Sequence, residues 1–174
     1  MSRVLAAMFF LVLALPPALA ATVPVKAPVK LKVGDPAPQF VRRDLQGRPF
    51  DLKAQRGKIV LIDFWASWCP PCIVEIPHLG QLQKQYGRRG FQVVGVSMDD
   101  SADTTKETMQ NIPFNYPVVK GDAKFGNLYG GVLGLPLQYL VGADGIILAI
   151  WSGESAPATM DKGIAAALKK IGPG

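Results

Sequence analysis

Two cysteines stand three positions apart in Trp68-Cys69-Pro70-Pro71-Cys72, and the chain contains no others. That spacing puts two thiols one helical turn apart, so a disulfide can open and close between them. A thiol at the start of a helix lies among free backbone N–H groups at the positive end of the dipole. Both favour the thiolate, the reactive form. Cys69 is therefore read as the exposed nucleophile that attacks a partner's disulfide, and Cys72 as the more buried thiol that releases the partner. Pro70 and Pro71 suit a first helical turn, where a missing N–H costs little. They also leave fewer donors near the sulfurs, which tunes the redox potential. A structural zinc site needs two further ligands, and the single histidine, His78, cannot supply both. Neither a resident metal nor a cofactor is expected.

The elements that must position these thiols follow from the apolar pattern. Residues 58–65 form a continuous apolar run broken only by Asp63, the length and composition of a buried central strand. An acid inside such a strand is costly unless paired or protonated. A helix is predicted over 70–86 from the stripe Ile73, Ile76, Leu79, Leu82 and Tyr86, kinked at Pro77. Further strands are predicted at 91–97, 137–141 and 146–151, the last two joined across Gly142-Ala143-Asp144-Gly145. Helices are predicted at 102–110 and 156–171, a short hairpin at 40–50 and a helical turn at 51–56. This order predicts an α/β domain with a mixed sheet covered by helices on both faces. Trp65 is assigned to the core and Trp68 to the rim beside Cys69. Trp151, Phe125 and Tyr129 read as ordinary packing aromatics, and His78 as a surface or half-buried residue.

The 174-residue chain is 49% hydrophobic and 18% charged, enough apolar material for one domain with a real core. Its formal charge of +6 comes from scattered Lys and Arg, with no basic run and no interleaved aromatics. Nucleic acid is therefore not an expected partner. Residues 1–20 combine Arg3, an apolar stretch over 4–15, Pro16-Pro17 and the small-residue site Ala18-Leu19-Ala20. They read as a secretory signal cleaved after Ala20, the apolar stretch being shorter than the roughly 20 residues of a membrane span. An uncleaved anchor is the alternative. Residues 21–33 read as an extended tether and 34–174 as the domain, placed in an oxidising compartment outside the cytoplasm. Nothing in the sequence indicates more than a monomer.

The stretch Ile62-Asp63-Phe64-Trp65-Ala66-Ser67-Trp68-Cys69-Pro70-Pro71-Cys72 resembles the active site of the thioredoxin superfamily. With Gly34-Asp35-Pro36-Ala37-Pro38-Gln39-Phe40 before it and Glu75-Ile76-Pro77 after it, the chain resembles the TlpA/ResA-like branch over residues 33–171. The resemblance implies a thioredoxin fold with an extra N-terminal hairpin and a central insert, to which residues 111–117 belong. It implies a periplasmic reductase of disulfides in exported proteins, cytochrome c maturation among its pathways, fed by a membrane thiol donor. By the same resemblance Gly134-Leu135-Pro136 matches the cis-proline loop facing the cysteines. Leu135 would pair its backbone with a bound peptide, and Pro136 would block metal capture. Asp63 and Glu75 match carboxylates that move protons for the resolving thiol, and two such groups near one dithiol would couple their titrations. Trp68, Pro70 and Pro71 would meet the substrate. The sequence departs from the pattern at Leu137, where Thr is common, and at Gly142, where Asp is frequent. Two other readings stay open. A copper-delivery protein could use the same soft thiolates. A peroxiredoxin-like peroxidase would share the Ala37-Pro38-Gln39-Phe40 entry segment.

Overall fold

A computed structural model describes residues 30–153 and 157–172. The predicted signal and most of the tether lie outside these residues. The elements, in chain order, are β1 (Val41–Arg43), β2 (Pro49–Asp51), β3 (Ile59–Trp65), α1 (Pro70–Tyr86), β4 (Phe91–Ser97) and α2 (Ala102–Asn111). They continue with β5 (Val118–Lys120), α3 (Ala123–Leu128), β6 (Leu137–Val141), β7 (Ile147–Ser152) and α4 (Pro157–Ile171).

Five strands form one sheet in the order β5-β4-β3-β6-β7. Strand β3 runs parallel to β4, and β4 to β5, through the crossovers α1 and α2; β3–β6 and β6–β7 are antiparallel. Every residue of β3 is buried, as a central strand covered on both faces requires. Side-chain alternation divides its neighbours between two cores. Ile59, Leu61 and Trp65 pack with Ile76, Leu79 and Leu82 of α1 and with Met160, Ile164 and Leu168 of α4. Val60, Ile62 and Phe64 face the other way, onto Phe40, Phe50, Phe125, Tyr129 and Tyr139. The result is the thioredoxin fold expected from the sequence, with helices on both faces.

Helix α1 continues through Pro77 as one element. Strand β5 and helix α3 are not among the elements predicted from periodicity. Each is too short, at three and six residues, to show a period. Residues 112–117, expected in an insert, form the loop that leads α2 into β5. In that loop Phe114 stacks beside Trp65 with centroids 5.2 Å apart, and Tyr116 is buried.

The N-terminal segment crosses the second face as a strap. Gly34 N–H donates to the Ile147 carbonyl and Ala37 N–H to the Gly145 carbonyl, so the strap starts on the β7 edge. Leu31 already packs against the second core. At the far side the β1–β2 hairpin reaches the β5 edge, where Leu45 N–H donates to the Val118 carbonyl. Buried Asp44 closes the hairpin turn, accepting from the N–H groups of Gln46 and Arg48 and from the Arg48 guanidinium at 2.8 Å. Gly47 supplies the positive φ of 83° that this turn needs.

Candidate active site

Strand β3 delivers the chain to the dithiol, and a buried acid holds the connection. The Trp65 carbonyl accepts from Met98 N–H at 2.8 Å, and the Ser67 N–H and hydroxyl both donate to Asp99 Oδ1. The other Asp99 oxygen accepts from the hydroxyls of Ser97 and Thr105, at 3.1 and 2.9 Å. Lys120 Nζ donates to the Asp99 and Gly121 carbonyls. Residues from β3, β4, α2 and β5 are thus tied to the turn that carries Trp68 and Cys69.

Cys69 is the N-cap of α1, in extended conformation, and its Sγ accepts from Cys72 N–H at 3.3 Å. The prolines occupy the first helical positions, as the first turn allows. Cys69 and Cys72 are joined by a disulfide, with Cα atoms 5.3 Å apart. The expectation of an exposed Cys69 needs correction. In this oxidised state Cys69 is only 5% exposed and Cys72 1%, because both pack into the first core. The order of burial is as expected. Beside them Trp68 stands 67% exposed, a rim residue, while Trp65 is fully buried. The Leu135–Pro136 peptide bond is cis, and the partly buried Leu135 packs against the core that contains both cysteines.

Asp63 pairs across the sheet with Gly95 on one side and Gln138 on the other. Alternation aims its side chain at the face covered by α1. Gln138 is fully buried, and its Nε2 donates both to Asp63 Oδ1 at 3.2 Å and to Glu75 Oε2 at 2.8 Å. The two carboxyl groups singled out from the sequence are thereby brought to one amide. Burial, reinforced by the nearby Glu75 charge and eased by the Gln138 hydrogen bond, pushes the Asp63 carboxyl up to about 8. Tyr116 borders the same cluster. Burial and the charges of Asp63 and Glu75 hold its phenol well above the ordinary range, so it stays protonated. His78 lies apart from the cluster, its Nε2 2.9 Å from Asp161 Oδ1 of α4.

Gln138 and Asp99 are structural members of the site that sequence reasoning passed over. Gln138 carried the same signal that drew attention to Asp63, a polar side chain inside a buried apolar strand. Asp99 carried none, because its partners come from Ser67, Ser97 and Thr105 and converge only in three dimensions.

A sheet of this topology, with a two-cysteine disulfide at the N-terminus of its first long helix, defines a thiol–disulfide oxidoreductase of thioredoxin fold. The chain belongs to the AhpC/TSA family, whose profile matches residues 33–150, and within it to the thiol-disulfide oxidoreductases of ResA type. It is 32% identical to the thiol-disulfide oxidoreductase ResA of Bacillus thuringiensis (strain Al Hakam) over 146 residues, 83% of this chain and 81% of that protein. The ResA of Bacillus subtilis (strain 168) is 31% identical over 121 residues, 69% of this chain and 67% of that protein. Among solved structures, a putative thiol:disulfide interchange protein DsbE from Chlorobium tepidum superposes with a TM-score of 0.76. It is 32% identical and covers 80% of this chain and 99% of its own.

Proposed function

We propose that this oxidoreductase works as a reductase of disulfides in exported proteins, in cytochrome c maturation or a related pathway. Residues 1–20 would direct export to the periplasm and be removed after Ala20, leaving residues 21–33 as a tether to a monomeric domain over 34–174. Among the described residues no helix is long and apolar enough to cross a membrane. Disulfide-bearing protein is the substrate class that the ResA relatives support.

The observation that carries the mechanism is the pair of buried Asp63 and half-buried Glu75, joined through Gln138 on the α1 side of β3. A membrane dithiol first reduces Cys69–Cys72, giving up two electrons and becoming a disulfide itself. The Cys69 thiolate then attacks one sulfur of the substrate disulfide, and the other substrate sulfur leaves as a thiolate and takes a proton. In molecules whose Asp63 carboxyl is ionised, a fraction that grows as pH rises towards 8, Cys72 passes its proton to Asp63 and attacks Cys69 Sγ. The second substrate sulfur leaves as a thiolate and is protonated in turn. Two electrons have moved to substrate, and the internal disulfide is restored. Trp68, Pro70, Pro71 and Leu135 meet the substrate chain around the sulfurs, with Pro136 fixing the loop opposite.

Two measurements test this reading. Equilibration with glutathione should place the Cys69–Cys72 pair well towards the reducing end. A potential near about −120 mV, the range of strong oxidants, would overturn the reductase assignment. Insulin reduction with dithiothreitol should depend on Cys69, and Cys72→Ser should accumulate a mixed disulfide detectable by mass spectrometry. No trapped species with that variant would remove Cys72 from its resolving role.

A further inference from the structure

A side chain that hydrogen-bonds both carboxyls is neither a cysteine nor an acid. Gln138 sits in β6 directly opposite Asp63 of β3, so the antiparallel register itself forces the two side chains onto the same face. Its amide nitrogen carries two hydrogens. One is directed to Asp63 Oδ1 and the other to Glu75 Oε2 of α1. Among the described residues its Oε1 is buried without a hydrogen-bond partner. A buried amide oxygen without a donor is costly, so an arrangement in which it can accept a hydrogen bond is favoured.

From this geometry we propose that Gln138 is the positioning residue of the proton-transfer pair. It fixes Asp63 and Glu75 to one another and sets how their single shared proton is divided. The inference rests on the proton-transfer reading of Asp63 given above, but it concerns a different residue and can fail separately. When both carboxyls are ionised, Nε2 donates to each and lowers the cost of two like charges side by side. When one is protonated, rotation of the amide lets Oε1 accept that carboxyl's O–H while Nε2 still donates to the other carboxylate. The same side chain therefore satisfies both states between which the pair must pass as Cys72 loses its proton. Asp63 is faced by Gln138 from β6, by Glu75 from α1, and by Tyr116 from the loop before β5. Gly95, its neighbour on β4, offers no side chain.

Gln138→Met tests the proposal, because it preserves length and burial while removing both donors and the acceptor. Carboxyl ¹³C titration of Asp63 and Glu75 is compared in wild type and variant, with both proteins in the oxidised form. Loss of donors to the ionised state raises the second ionisation step of the pair by about one unit, a tenfold shift. In the reduced enzymes, Cys72 closure onto a mixed disulfide slows about tenfold at pH 7 and recovers towards pH 9. The initial attack by Cys69 is unaffected. Identical carboxyl titrations in wild type and Gln138→Met overturn the proposal. Should the variant not fold, the side-chain amide signals of Gln138 in the wild-type protein decide. They must move with the midpoint of the carboxyl titration, and signals that stay fixed through it overturn the proposal. Asp63→Asn separates the two readings. If it leaves Cys72 closure unchanged while Gln138→Met moves the Glu75 and Asp63 titrations, the proton-transfer role of Asp63 fails and the positioning by Gln138 stands.

Discussion

Ser67 donates twice to one oxygen of Asp99, from its backbone N–H at 2.8 Å and from its hydroxyl at 2.7 Å. The residue that shapes the turn before Trp68 and Cys69 is therefore held from the end of β4, across the parallel strand pair. Asp99 is buried, and its two oxygens accept from the Ser67 N–H and from the hydroxyls of Ser67, Ser97 and Thr105.

Asp99→Ala leaves the Ser67 N–H, its hydroxyl and the hydroxyls of Ser97 and Thr105 without their acceptor. An unsatisfied buried donor costs about 1–3 kcal/mol, and the hydroxyls can rotate to other acceptors while the Ser67 N–H cannot. Urea unfolding should show a loss of about 3 kcal/mol, and mixed-disulfide formation by Cys69 should slow, since its turn is no longer fixed. Unchanged attack by Cys69 in a destabilised Asp99→Ala protein would confine Asp99 to a structural role.

The buried carboxyl of Asp63 gives stability a definite pH dependence. Its folded value of about 8 lies above the ordinary 3.8, so the native state holds a proton that the unfolded chain has already lost. Stability from this group is full below pH 4 and declines as pH rises towards 8, where the buried carboxyl must ionise. The titration belongs to the Asp63–Glu75 pair, so the decline follows the pair's macroscopic steps. Asp63→Asn, neutral at every pH, should flatten this decline and be the more stable protein above pH 8. Denaturation midpoints of the two oxidised proteins, measured from pH 4 to 9, check this. Parallel curves would mean that Asp63 is already ionised in the native state.

Gly121 sits where β5 ends beside Asp99. A methyl group there would lie 2.6 Å from Met98 Sδ and 2.9 Å from the Ser97 carbonyl oxygen. The sulfur can move, but the carbonyl belongs to β4 and accepts from Gly121 N–H at 2.7 Å. Gly121→Ala should therefore cost about 1–3 kcal/mol, as overpacking of a filled site does. Thermal unfolding checks it, and a variant as stable as wild type would show that β5 can shift outward freely.

The long elements were legible in the sequence because burial imposes a pattern on them. Strand β3 announced itself as an apolar run, and α1 by its 3.6-residue stripe and by the prolines at its start. The dithiol was legible for a chemical reason, since two thiols at that spacing have few other uses. Strand β5 and helix α3 were hidden because three and six residues are too few for a period to repeat visibly. Among site residues, Asp63 stood out as an acid in an apolar run, yet nothing in the order of residues says that Gln138 lies opposite it. That pairing depends on the register of β6 against β3, a property of the sheet. The exposure of Cys69 was misjudged for a related reason. Its cover comes from the first core, assembled from α1, β4, α4 and the loop before β5, while the sequence showed only its neighbours in the chain.

The strap over the second face ties the order of events in making this molecule to its topology. Gly34 and Ala37 bond to carbonyls at Ile147 and Gly145, more than a hundred positions later. A chain that emerges N-terminus first presents the strap at the outset but can seat it only when β7 has formed. Until it is seated the β7 edge keeps open hydrogen-bonding groups, the condition in which strands recruit foreign chains. A segment made before any strand of the sheet is thus the one that closes its β7 edge, and loss of residues 34–37 or of residues 145–147 would leave the same seam undone.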